Sequence, residues 1–253
     1  MLDMKRSGAV AALLAGACAT AGANVVLWDN GSMVTHPGAG AGGADVSMAS
    51  LVPNTAGSNV TGNVQRADDF TVGAEGWLVS TIQMFGYDTN FATPRFESAT
   101  ITIRSGTPDG AVVASESATW ELAGINRTFN GVGNLGNTAR QIQRVTADFG
   151  DLELAPGVYW VALSIVNTTG GNNWMSFVMD PNPADPNDPI TRVGNAYVST
   201  NGGVDWNPFV VGTGDWNQSP ELPFIVSGSI IPAPGAMALL GMGGLIAGRR
   251  RRA

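Results

Sequence analysis

Between residues 24 and 230 no window sustains a helical stripe of apolar side chains beyond about two turns, while nine segments alternate apolar and polar residues with a period of two. They are 25–28, 69–72, 78–87, 99–104, 111–115, 142–149, 158–166, 174–178 and 224–230, rich in β-branched and aromatic residues. A period of two puts one face of a strand on a core and the other in water. In 99–104, for example, Ala99, Ile101 and Ile103 share one side, and Thr100, Thr102 and Arg104 share the other. Turn chemistry separates the runs: Gly106, Pro108 and Gly110, then Pro156 and Gly157, then Gly170 and Gly171. About ten short strands divided this way predict an all-β fold, an antiparallel β-sandwich or jelly roll. Stretches 31–63, 124–139 and 180–188, rich in Gly, Asn, Ser or Pro, read as surface loops, the places where function would sit on a rigid scaffold.

The two chain ends have a different character. Residues 1–23 carry Lys5 and Arg6, then an apolar stretch over 9–19, then the small residues Ala21, Gly22 and Ala23. That is the layout of a secretory signal cut by signal peptidase before Asn24. Cys18 offers a rival reading as a lipidated lipoprotein cysteine, with Ala15 where leucine is usual three positions earlier. At the other end Pro232, Ala233 and Pro234 precede thirteen apolar residues, 236–248, and the four arginines Arg249, Arg250, Arg251 and Arg252. Arginines resist translocation and bind the anionic inner membrane face, so they leave a basic stub in the cytoplasm and everything before the apolar run outside. As a helix the run spans about 20 Å, short of the ~30 Å hydrocarbon core, and Gly241, Gly243, Gly244 and Gly248 weaken it further. A short, weak span suits a segment that is inserted, read and cut; the other reading is a single-span tail anchor.

The order of proline motif, short apolar helix and arginine cluster resembles the PEP-CTERM sorting signal of bacterial exported proteins. Ala233 stands where that motif has glutamate, so the likeness rests on Pro232, Pro234 and Arg249 to Arg252. The resemblance implies recognition and processing by an exosortase-like membrane enzyme, and it covers about a tenth of the chain. Three parts follow: a signal peptide (1–23), a β-sandwich domain (24–230) and a C-terminal sorting or membrane segment (231–253). A looser likeness joins Pro156, Gly157, Tyr159 and Trp160 to a strand entry of jelly-roll-like exported domains.

About 207 residues in the central part suffice for one domain with a substantial core. This part holds seven arginines, no lysine and nineteen acidic residues, a net charge of −12 that repels nucleic acid and anionic membrane. Cys18, the one cysteine, lies in the signal, so a chain cut after Ala23 has no disulfide, no cysteine nucleophile and no thiolate metal site; the lack of lysine removes Schiff-base chemistry. His36 is the one histidine and no Gly-x-Ser-x-Gly elbow accompanies it, so it reads as an exposed loop residue.

Two sites remain as expectations. Asp180, Asp185 and Asp188, with Asn182 and Asn187 between them, offer the oxygen ligands calcium takes from flexible loops, against the plainer reading of an acidic surface turn. Trp206 and Trp216, with Trp120, Trp174 and Phe209, offer rings on which a polysaccharide would stack beside amide donors Asn172, Asn173, Asn207 and Asn217; packing in the core or at a sheet edge competes. A glycosidase needs two converging carboxyl groups. Asp68 and Asp69 are adjacent on a predicted strand and so face opposite ways, and no other pair stands out. The leading expectation is a non-enzymatic protein of the cell surface or extracellular matrix. A carbohydrate-binding module comes second and a glycan hydrolase third.

Overall fold

A computed structural model describes residues 24–49, 57–91, 93, 95–129, 132–168, 170–185, 187–211 and 217–231. The predicted signal peptide and the C-terminal apolar helix lie outside these residues. The described chain is all-β, with two short 3-10 turns and no α-helix among the described residues. Its first strands are β1 (Val25–Asp29), β2 (Asp45–Met48), β3 (Ser58–Asn59), β4 (Gln65–Val72) and β5 (Trp77–Asp88). Next come β6 (Phe96–Ser105), β7 (Val112–Thr128), β8 (Gln141–Leu154), β9 (Gly157–Asn167) and β10 (Asn173–Met175). The last are β11 (Met179–Asp180), β12 (Ile190–Thr191), β13 (Tyr197–Ser199), β14 (Asn207–Pro208) and β15 (Phe224–Ile230).

Thirteen strands make one sheet whose main path runs β1-β15-β5-β8-β7-β6-β9-β4-β13-β14, with β2, β3 and β10 attached off it. The pivot is β7. Its first half pairs with β6, from Arg104 opposite Val112 to Thr100 opposite Ser117. Its second half pairs with β8, from Ala118 opposite Ala147 to Leu122 opposite Gln143. One long strand thus joins two arms, and the sheet curls so that both turn their apolar faces to a shared core.

The period-two pattern explains which side chains fill that core. Ala99, Ile101 and Ile103 are buried, while Thr100, Thr102 and Arg104 are half-exposed. In β9, Tyr159, Val161, Leu163 and Ile165 point inward; in β5, Val79, Ile82 and Met84 do. Phe70 of β4 sits at the centre, fully buried, its ring 5.9 Å from Trp77, 5.8 Å from Tyr159 and 6.2 Å from Phe224. Four strands from both arms meet on this one side chain.

Two stretches expected to be surface loops carry structure. Within 31–63, β2 pairs in parallel with the end of β7, the one parallel strand pairing among the described elements, and Met33, Val46, Met48 and Ala49 are buried. Within 124–139, β7 continues to Thr128, and Asn126, Arg127 and Thr128 are buried. Glycine and alanine neighbours dilute the apolar signal there, and a strand docking in parallel onto another strand's end needs no turn signal beside it. His36 is likewise half-buried: it bridges to Val46, and its Nδ1 lies 2.9 Å from the Thr35 hydroxyl.

Candidate functional site

The acidic loop connects β11 to β12, which pair Met179 with Thr191 and Asp180 with Ile190. Both Asp180 carboxylate oxygens accept from Arg192: Nε lies 3.0 Å from each, and Nη2 is 2.6 Å from Oδ1. The pair holds the guanidinium above its ordinary pKa, chiefly through that hydrogen bonding. Arg192 Nη1 also donates to the Asn30 carbonyl at 3.2 Å, so the hairpin is fastened to the segment after β1. Asp185 Oδ1 accepts from the Asn187 N–H at 2.9 Å, an Asx turn. Asn182 Nδ2 donates to the Asp188 carbonyl oxygen at 2.9 Å. Among the described residues no three His, Cys, Asp or Glu side chains converge on a point where a cation would sit.

The aromatic residues divide among several places. Phe209 is buried in the core, 6.3 Å from Phe177 and with the Arg66 guanidinium 4.3 Å from its ring centre. Trp174, in β10, packs against a second cluster of Met33, Phe85, Tyr87 and Ile142. Trp120 is exposed on β7. Trp216 lies outside the described residues. Trp206 lies on the outer face of the β9–β4–β13 arm with Ala67, Trp160, Ala162 and Tyr197.

Cross-strand geometry builds that outer patch. Arg104 stands opposite Trp160, which stands opposite Asp69; one row along, Ala162 faces Ala67, which faces Tyr197. The two alanines form a floor, and the Trp160 and Tyr197 rings meet edge-on at 5.1 Å above it. Trp206 is half-buried, with its Nε1 donating to the Gly203 carbonyl at 3.1 Å and the Arg104 guanidinium 5.7 Å from its ring centre. Arg104 is itself tied down, Nη1 to the Gly110 carbonyl at 3.2 Å and Nη2 to the Gly203 carbonyl at 3.1 Å. The arrangement is a rigid cation–aromatic patch with loop 200–206 folded onto the sheet.

A pair of acids emerges that sequence reasoning did not single out. Asp68 points inward and is fully buried, while Asp69 points outward and accepts from Asn195 Nδ2 at 2.7 Å, the opposite facing expected of neighbours on a strand. The Asp68 carboxyl takes the Leu222 N–H at 2.7 Å, the Asp69 N–H at 2.9 Å and Asn30 Nδ2 at 3.4 Å. Burial pushes it well above the usual carboxyl range, with the Glu221 charge adding to the rise, and these N–H donors do not outweigh them. Glu221 is also raised, first by burial, and takes a hydrogen bond from the Asn30 side chain. The two are 153 positions apart, and only the return of the chain through Leu222, just before β15, onto Asp68 of β4 brings them together, so no spacing signalled the pair.

The residues of the predicted sorting signal, Pro232, Pro234 and Arg249 to Arg252, lie outside the described residues. Their point of departure is fixed: β15 lies between β1 and β5, its Ile230 pairs with Trp77, and the Ile231 N–H donates to the Gly76 carbonyl at 3.1 Å. No protein-family model and no curated protein matches this chain.

Proposed function

We propose that this chain is an exported, non-enzymatic β-sandwich protein of the cell surface or extracellular matrix, led out by its N-terminal signal and sorted through its C-terminal tail. The observation that carries the reading is the tripartite tail itself: two prolines, thirteen apolar residues and four arginines, starting one residue after the Ile231 contact with the sheet. A sorting enzyme needs a segment free to enter the membrane while the domain stays folded, and β15 supplies a firm attachment for it. Pro232 and Pro234 break secondary structure after the strand, 236–248 inserts, and the arginines fix orientation. The −12 charge of the central part suits a domain that stays in water beside an anionic surface. The curled sheet, with its two arms over one core, is the sandwich in this reading.

The non-enzymatic part draws support from the raised acids Asp68 and Glu221. Asp68 has no exposed surface, and its hydrogen-bond donors come from its own chain, which suits a tie between chain segments. Replacing all four arginines with glutamine (R249Q, R250Q, R251Q, R252Q) tests the sorting. Loss of membrane retention and processing on a fractionation blot is the expected result; export and processing equal to the parent would refute it.

A second reading, an extracellular carbohydrate-binding module, draws on the Trp160, Tyr197 and Trp206 patch and its Arg104 neighbour. Glycan-array binding lost in W206A supports it, and binding unchanged in W206A excludes that patch. Reducing-sugar release from the same glycans separates out the third reading, a hydrolase.

A further inference from the structure

The outer face of the β1–β15–β5–β8 arm carries a cavity. Along one row of that face Glu121 of β7 stands opposite Arg144 of β8, and Arg144 opposite Phe85 of β5. On the next row Asp29 of β1 stands opposite Ile225 of β15, which stands opposite Gln83 of β5. The segment after β1 roofs these strands and is tied down along its length. The Asn30 N–H donates to the Phe224 carbonyl at 3.0 Å, the Ser32 carbonyl accepts the Met179 N–H at 3.1 Å, and the Thr35 N–H donates to the Val46 carbonyl at 2.8 Å.

Between roof and sheet lies a cavity of about 210 Å³. Met33, Phe85, Ile125 and Ile225 give it apolar walls; Met33 and Phe85 are buried and the two isoleucines half-buried. Arg144 and Asp29 are the charged residues of the wall. Apolar walls with a few placed polar groups are the usual make-up of a small-molecule site, and the volume suits a ligand smaller than the drug-sized occupants of roughly 300–1,000 Å³ pockets.

Arg144 is used differently from the other arginines that hold carboxylates. Arg95 grips Asp88 with Nε at 2.7 Å and Nη2 at 2.9 Å, and Arg192 grips Asp180 with the same two atoms. Arg144 gives Glu121 only Nη1, at 2.7 Å, in a pair that is exposed on the Glu121 side. Its Nε is buried with no hydrogen-bond partner among the described residues. The edge by which arginine takes a carboxylate side-on therefore has an unmet donor, and an unmet buried donor on a charged group is costly.

We propose that this cavity binds a small monocarboxylate with an apolar body, the carboxylate on the Nε edge of Arg144 and the body along Phe85, Ile125 and Ile225 beneath Met33. From β8 to β15 is two strand spacings, about 10 Å, which a chain of about eight carbons crosses. Asp29 sets the other half of the specificity. Its Oδ1 accepts the Gly31 N–H at 2.9 Å, which holds it at the Ile225 end of the cavity, where its charge repels a second carboxylate. The far end of the ligand is thus uncharged. This inference goes beyond the sorting reading and needs neither chain end.

The test measures calorimetric affinity and melting temperature of the purified full-length protein at about pH 7 with octanoate, octanamide and octanedioate. Octanoate should bind and raise the melting temperature. Octanamide and octanedioate should bind about tenfold more weakly or worse, the worth of a charge-assisted hydrogen bond. R144Q removes only the Glu121 pair from the structure, so it should melt near the parental temperature while losing the rise with octanoate. E121Q should bind octanoate about threefold more tightly, because Arg144 no longer shares its charge with an exposed partner. Octanoate without effect, octanamide or octanedioate equal to octanoate, or parental octanoate affinity in R144Q would each overturn the proposal. Should R144Q fail to fold, the comparison of octanoate with octanamide on the parent decides.

Discussion

Asp68 gives the sharpest test of how this fold is held. The carboxyl is fully buried and joins β4 to the segment entering β15 through the Leu222 N–H. In the unfolded chain it ionises near pH 4, whereas in the fold it holds its proton to higher pH. Between those two values the native state binds more protons, so stability is full below about pH 4 and falls as pH rises towards the folded value. Glu221 shifts the same way and adds to the slope. Each unit of displacement is worth about 1.4 kcal/mol, so thermal unfolding should show a higher melting temperature at pH 5 than at pH 8. D68N keeps an acceptor for the Leu222 N–H but cannot ionise, so its melting temperature should depend on pH much less, leaving the Glu221 contribution. D68A leaves the Leu222 N–H buried without that partner and loosens the Asp69 N–H, costing about 2–4 kcal/mol, or roughly 5–15 °C for a domain of this size. A parental melting temperature flat between pH 5 and pH 8, or a D68N slope equal to the parent's, would refute the reasoning.

Other outcomes follow from the same packing. Phe70→Ala removes the ring that four strands share and should cost about 3–5 kcal/mol, read as a midpoint shift in urea at unchanged slope. A Cβ on Gly228 would run into the Leu78 carbonyl oxygen at the β15–β5 register shift, so G228V should unfold at markedly lower temperature or fail to accumulate folded. Calcium must compete with Arg192 for Asp180, so millimolar calcium should leave the melting temperature of the parent unchanged and raise it, if at all, only in R192A; a rise in the parent would establish a loop site. W206A should expose the alanine floor and cost about 2–4 kcal/mol, and a variant as stable as the parent would mean the ring is free for a ligand.

The strands that alternate cleanly were legible in the sequence. Each of the nine predicted runs overlaps a described strand, although 176–178 of the run 174–178 lies between β10 and β11, and the inward trio of β6 is the one its pattern named. The second half of β7 was not, because it serves an exposed corner where Trp120, Glu121 and Leu122 all meet solvent and no face is uniformly apolar. Nor was β2, whose buried Val46 and Met48 sit among glycines and serines. Of the sites, the loop at 180–188 was visible as composition, but its use of Arg192 was not, since a bidentate pair across a hairpin depends on register. The Asp68–Glu221 pair depends on topology alone.

Processing at the two chain ends is tested most directly by intact mass measurement of the protein recovered from the cell surface and medium of its native host. The expected chain starts at Asn24 and ends before Arg249. A full-length chain from Met1 to Ala253, recovered uncut from the cytosol, would contradict it.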